Sequence, residues 1–275
     1  MQLPSFKYVR PASMEALRAA LAEPGCALLA GGQSLLPALG DPAGPRPRTL
    51  VDIGGLAQLQ GCTRGPVCLV IGAATSLSDC ERQGVALGAS ALLLAAVGRT
   101  ANPVIRNRAT IGGHVVVGDA RSALCASLVA LDATLGIMGM RDSRSVSVEG
   151  FLTRPAGERL APAEVITTIT VPLPGEGSRT ALTHLGERAQ GYSTVGFAAL
   201  RAAGESSRLV LFGLAGAPFL LRDTGTSLDR ANWTASGAGP LRTELAARGG
   251  DALDPCRVHL ARRLLERLCD GEGWL

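Results

Sequence analysis

Lysine is almost missing from this chain of 275 residues: Lys7 is the only one, so 26 of the 27 basic residues are arginine. With abundant alanine and glycine, that bias points to codon usage rather than to chemistry. Aromatic residues make up only 3%, which leaves the core to aliphatic side chains and provides no stacking surface for bases. The net charge of +4 is scattered without a basic block, so nucleic-acid binding is not expected. Histidine is limited to His114, His184 and His259, with no HExxH-type spacing. The seven cysteines, at 26, 62, 68, 80, 125, 256 and 269, contain no CxxC, which argues against a metal or iron–sulfur site and against a disulfide scaffold. Most of them read as small buried apolar residues. The N-terminal "MQLPSFKYVRPAS" lacks the apolar stretch of a signal peptide, and no apolar run reaches spanning length. The expectation is a cytoplasmic protein without membrane contact.

What is present is ordinary globular material. A hydrophobic content of 47% supports a sizeable core, and the length suggests two domains. "SMEALRAALAE" (13–23) predicts a helix capped by Ser13, and "CALLA" (26–30) and "TLVDI" (49–53) predict strands. "VCLVIGAAT" (67–75) is a further strand, followed by a helix with Ser78 as cap. "ALGASALLLAAVGRTA" (86–101) reads as one apolar helix, and "SALCASLVALDATLGIMG" (122–139) as helix then strand. At "VITTITVPLPGEGSR" (165–179) a β-branched strand meets a Pro/Gly connector, which places the main boundary near residue 175. Residues 192–202 and 207–218 predict an antiparallel pair, and 254–271 an amphipathic helix capped by Asp254.

Two stretches stand out. "LLAGGQSLLPAL" (28–39) sets Gly31-Gly32 between apolar runs, and "IRNRATIGGHVVVGDARSAL" (105–124) sets Gly112-Gly113 before a predicted β-run. Adjacent glycines tolerate positive φ and let a ligand approach the bare main chain. Successive N–H groups in such turns form an anion site, to which Gln33, Ser34 and Thr110 can add hydrogen bonds. A tight turn explains either pair taken alone. Neither is GxGxxG nor GxxxxGK[ST], which disfavours a Rossmann or P-loop site.

Together with "LVDIGGLAQL", "IGAATSLSD" and "VITTITVPLP", and with "ERAQGYSTVGFAAL", "LFGLAGAP" and "DPCRVHLARRLL" further on, these stretches resemble the flavin-binding medium subunit of molybdenum hydroxylases. That family includes enzymes of the carbon monoxide dehydrogenase and xanthine dehydrogenase type. The resemblance implies an α+β chain: a two-subdomain FAD-binding PCMH-type (vanillyl-alcohol-oxidase-like) domain at 1–175, split into 1–54 and 55–175, then a smaller α+β domain at 176–275. It implies a first pyrophosphate loop of Ala30, Gly31, Gly32, Gln33, Ser34, Leu35 and Leu36. Thr110, Ile111, Gly112, Gly113 and His114 form the second. Thr100 and Ala101 fall at positions lining the flavin, with Ile105 nearby and Ile166 at the apolar position before "TVP". On this reading Gly31 and Gly32 are bare to admit the pyrophosphate, and Gly32→Val is expected to abolish FAD binding with little loss of folding. The chain relays electrons through FAD, while a molybdopterin-binding large subunit and a 2Fe-2S small subunit hold the other cofactors.

The sequence departs from the family pattern where the flavin would be tuned. His114 stands where Asn or Asp is usual, Ala123 replaces an acidic residue and leaves Asp119 as the nearest carboxylate, His184 replaces a lysine, and Val117 a histidine. His114 and His184 are candidate donors, Tyr192 a candidate flavin neighbour. A pyrophosphate beside His114 is expected to raise its pKa. These departures keep two alternatives open: a stand-alone FAD oxidase or cyclase of specialised metabolism, and a protein that keeps the fold without FAD.

Overall fold

The computed structural model describes residues 4–186, 193–202, 206–214, 216–249 and 254–275. Three sheets follow one another along the chain. The first is a parallel trio, β1 (Lys7–Val9), β2 (Cys26–Leu29) and β3 (Thr49–Asp52), with β3 central. Helix α1 (Met14–Leu21) starts where Ser13 accepts the Ala16 N–H, and buries Leu17 and Leu21 against this sheet. The short α2 (Leu35–Leu39) follows β2 directly after the first glycine pair.

The second sheet has β5 (Cys68–Gly72), β8 (Val165–Pro172) and β6 (Thr134–Met138) at its centre, with β4 (Cys62–Arg64) and β7 (Ser143–Ser147) at its edges, every pairing antiparallel. Its helices are α3 (Leu77–Ala86), α4 (Ala91–Arg99), α5 (Pro103–Arg106), α6 (Ile111–Val117), α7 (Ala123–Ala130) and α8 (Val148–Thr153). Three sequence expectations change here. The cap of α3 is Ser76, whose side chain accepts the Asp79 N–H, while Ser78 lies inside the helix and donates to Asn107. The apolar stretch 86–101 is interrupted, because Gly88 adopts φ +65° and Ser90 begins α4 by accepting the Leu93 N–H. And "HVVV" is helical, because Thr110 accepts the Gly113 N–H and starts α6, overriding the β preference of three valines.

The third sheet runs β12 (Phe219–Leu220), β11 (Arg208–Phe212), β10 (Ser193–Arg201), β9 (Arg179–Gly186), and the β10–β11 antiparallel pair is as expected. Alternate residues face opposite ways along each strand. Leu182, Ala198, Val210 and Phe212 join the core of the second sheet around the fully buried Leu124 and Leu128 of α7. Ala181, Val195, Phe197 and Leu211 face a second core. That core is closed by α9 (Arg222–Arg230), α10 (Leu241–Gly249) and α11 (Pro255–Cys269), the last capped by Asp254. The C-terminal residues cover β9: Leu275 N–H donates to Thr180 and Leu182 N–H to Gly273. Among the described residues no helix is long and apolar enough to cross a membrane.

Candidate functional site

The chain leaves β2 at Leu29 and turns through Ala30–Ser34 into α2. Gly32 takes φ +74°, a left-handed conformation that an L side chain adopts only with strain. Among the described residues nothing accepts a hydrogen bond from the N–H groups of Gly31, Gly32, Gln33 or Ser34. Gly31 and Gly32 are half-buried, where main-chain donors are almost always paired, so their open N–H groups, continued by those of the exposed Gln33 and Ser34, mark a place for an acceptor.

The second segment is built differently from the sequence expectation. Ile111 N–H donates to Thr75, Gly112 N–H to Ala73, His114 N–H to Thr110, and Gly113 N–H to the Thr110 hydroxyl. Its main-chain donors are engaged within the protein, so of the two segments the first loop is the one that presents a row of open N–H groups. The glycines also have a packing role. A Cβ on Gly31 would collide with the Arg108 carbonyl oxygen and lie 2.9 Å from the Ala109 Cα, and one on Gly32 would come 2.9 Å from Leu36 Cδ1. Gly31 is therefore bare because the segment leading into the second glycine pair crosses it. Gly32→Val is expected to disturb folding as well as binding, contrary to the reading from sequence.

The two segments wall a cleft of about 470 Å³. Ala30, Gly31, Gly32, Gln33, Ser34 and Leu35 line it from the first loop, Thr110, Gly112, Gly113 and His114 from the second, and Ile166 from β8. Leu36 stands behind Gly32, and Ile111 is fully buried in the core. Thr100, Ala101 and Ile105 lie outside this lining, at the junction of α4 and α5. There the Thr100 hydroxyl donates to Ala96, Ala101 takes φ +53°, and Ile105 accepts the Ala109 N–H. Asp119 pairs with Arg121 at 2.9 Å, which holds its carboxyl below the usual range. His184 lies on β9, where burial and then Arg99 lower its pKa. Tyr192 falls outside the described residues.

His114 has a defined state. Its Nε2 lies 2.7 Å from the Ser122 hydroxyl, and burial lowers the imidazole to about 4 against a weaker opposing pull from Asp119. The chain itself thus holds His114 neutral, so the upward shift expected from sequence would have to come from a bound pyrophosphate and overcome this burial.

Sequence reasoning missed the apolar wall. Val116 and Val117, 39% and 49% exposed, project from α6 into the cleft beside Leu160 and Val165. It also missed Arg159, a buried guanidinium that donates to the carbonyls of Val116 and Val117 at 3.1 Å and to those of Leu152 and Arg154. It fastens the C-terminal end of α6, where a cation is favoured. No motif marks it; only the helical reading of 111–117 would have suggested a cation near residue 117. A second, polar cavity of about 420 Å³ shares Ala30, Gly31 and Thr110 with the cleft and opens on the other side of the crossing, among Arg10, Asp52, Asp79 and Arg82.

Residues 4–174 match the family described as the FAD binding domain in molybdopterin dehydrogenase. The chain is 32% identical over 202 residues to the 6-hydroxypseudooxynicotine dehydrogenase complex subunit alpha of Paenarthrobacter nicotinovorans, covering 73% of this chain and 68% of that protein. It is 31% identical over 226 residues to the carbon monoxide dehydrogenase medium chain of Hydrogenophaga pseudoflava, covering 81% and 78%. A solved structure of carbon monoxide dehydrogenase from Hydrogenophaga pseudoflava superposes with TM-score 0.84 at 26% identity, over 97% of this chain and 96% of that one.

Proposed function

Because the chain belongs to the family of FAD-binding domains in molybdopterin dehydrogenases, we propose that it is the flavin relay of a molybdenum hydroxylase, taking electrons from 2Fe-2S clusters on a partner and passing them from FAD to an acceptor. It is an FAD-binding oxidoreductase subunit. Relatives named as a medium chain and as an FAD-binding subunit support a molybdopterin-binding large subunit and an iron–sulfur small subunit as its partners. The proposed division is an FAD-binding domain at 1–175, in two subdomains meeting near residue 54, and a C-terminal domain at 176–275.

The observation that carries this reading is the row of open N–H groups at Gly31–Ser34, facing a cleft walled by both glycine segments. Those residues fit a pyrophosphate: the donors are unclaimed, and the Gly32 turn orients them without a side chain in the way. Val116, Val117, Leu160 and Ile166 fit a flat aromatic ring and exclude water from it. When bound, FAD supplies the electron-transfer chemistry, and the chain positions it and sets its surroundings. His114, neutral and tied to Ser122, adds polarity to the cleft without a charge. Contacts from Thr100, Ala101, Ile105, Asp119, His184 and Tyr192 to the flavin are part of the proposal.

Expression beside the genes of the native host tests it. The expected result is a yellow protein with flavin bands near about 370 and 450 nm, which co-purifies with two subunits carrying iron and molybdenum. The neutral residue at Ala123 and His184, whose pKa is lowered by burial and Arg99, in place of family acid and lysine, support a second reading as a free-standing FAD oxidase or cyclase. A chain that purifies alone and turns over an organic substrate would favour that one.

A further inference from the structure

Edge strand β4 and helix α3 meet through two thiols. Cys62 is partly buried on β4, Cys80 is buried on α3, and both pack into the same apolar cluster. Gln83 lies one helical turn beyond Cys80, and its side-chain oxygen accepts the Cys62 N–H at 2.8 Å. The face of α3 that carries Cys80 is thus the face clamped to Cys62. The Cys80 thiol lowers the pKa of Cys62 against opposing burial and Asp79, while Cys80, whose Sγ donates to the Thr75 carbonyl at 4.0 Å, is pushed well up by Cys62 and by burial. Other thiols differ: burial pushes Cys125 up to about 11, and burial with Asp270 and Glu266 raises Cys269. Cys62 is therefore the thiol with enhanced thiolate character, and it has a resolving thiol beside it.

We propose that Cys62 and Cys80 form a dithiol that peroxide oxidises to an intrachain disulfide joining β4 to α3. The Cys62 sulfur attacks one peroxide oxygen, the O–O bond breaks, and Cys62 sulfenic acid and water form. The Cys80 sulfur then attacks the Cys62 sulfur, the S–O bond breaks, and a second water leaves with the Cys80 proton. Two thiols and one hydrogen peroxide give one disulfide and two waters, the sulfurs losing two electrons to the peroxide. β4 is three residues long and paired on one side only, to β5, so it can close on α3 with little disruption of the sheet. Asp79, Arg82 and Gln83 of the same helix line the polar cavity behind the glycine loop, so the disulfide would fix one wall of that cavity.

The test uses the full chain as isolated. It is treated with hydrogen peroxide at a dose that oxidises the exposed Cys256, remaining thiols are alkylated, and unreduced digests are mapped by mass spectrometry. The expected product is a Cys62–Cys80 linked peptide that disappears on reduction. In Cys80→Ser, dimedone should instead capture a sulfenic acid at Cys62. Recovery of both Cys62 and Cys80 in alkylated form at that dose, or linkage of Cys62 to another cysteine, overturns the proposal. The wild-type map decides the matter even if the variant does not fold, and it does not depend on the flavin relay.

Discussion

The carbonyl oxygen of Arg108 occupies the space that a side chain on Gly31 would need, so the loop after β2 and the segment before α6 are locked backbone to backbone. A change at this crossing acts on both halves of the cleft. In Gly31→Ala the added carbon meets main chain that cannot rotate away, and overpacking of this kind costs about 1–3 kcal/mol. Urea unfolding should report that loss, and FAD affinity should fall with it. An unchanged unfolding midpoint would show that the two segments separate freely.

Arg159 offers a second test, because it satisfies four carbonyls with no carboxylate nearby among its bonded partners. Arg159→Met keeps much of the apolar volume and leaves the carbonyls of Val116 and Val117 without their donor. We expect a loss of about 3 kcal/mol, from unpaired buried acceptors and a loosened end of α6. FAD should bind more weakly, since those two residues carry the apolar wall. Wild-type stability with weakened binding would place Arg159 in ligand contact rather than in support of α6.

Much of this arrangement is legible along the chain, and the parts that are not have physical reasons. "CALLA" and the adjacent glycines announce a strand entering a special turn, and Ser13 and Asp254 announce helix starts that the structure shows. The valines after Gly113 mislead because propensity is a weaker influence than a Thr110 cap and the packing of Ile111 and Val115 in the core. Once that segment is helical, Val116 and Val117 become wall residues, which a strand reading with alternate faces could not place. The bareness of Gly31 reads along the chain as room for a ligand; that Arg108, 77 positions away, also crosses it is a proximity that only the fold creates. The burial that lowers the pKa of His114 could not be read from the chain for the same reason, since it is a property of the packed structure.

The C-terminal tail makes a separate claim about stability. Trp274 sits edge-on to Trp233 at 5.1 Å between ring centroids, lies under the Arg179 guanidinium at 4.7 Å, and donates to the Leu268 carbonyl. The residues around it pair with the otherwise open edge of β9. Trp274→Ala should cost about 2–3 kcal/mol, from lost burial and ring contact. The exposed strand edge should also raise the tendency to aggregate. FAD affinity should change little, so a parallel loss of flavin would mean that the tail communicates with the cleft.

His114 gives a dependence on pH whose sign follows from its burial. Its pKa is lowered from 6.5 to about 4 in the folded chain, while the unfolded chain protonates near the ordinary value. Between those values the unfolded state binds the additional proton, so stability rises with pH across that window. The contribution is fully present above about 6.5 and is lost as pH falls toward about 4, with a ceiling of roughly 3 kcal/mol. His114→Asn removes the titration and keeps a hydrogen-bonding side chain near Ser122, so it should flatten this part of the curve. Unfolding free energies of both proteins from pH 4 to 7.5 make the comparison. FAD affinity above pH 6 should be insensitive to His114 ionisation, because the imidazole is already neutral there. A wild-type affinity that weakens from pH 6 to 9, and no longer does so in His114→Asn, would mean that bound FAD holds the imidazole charged and overrides its burial.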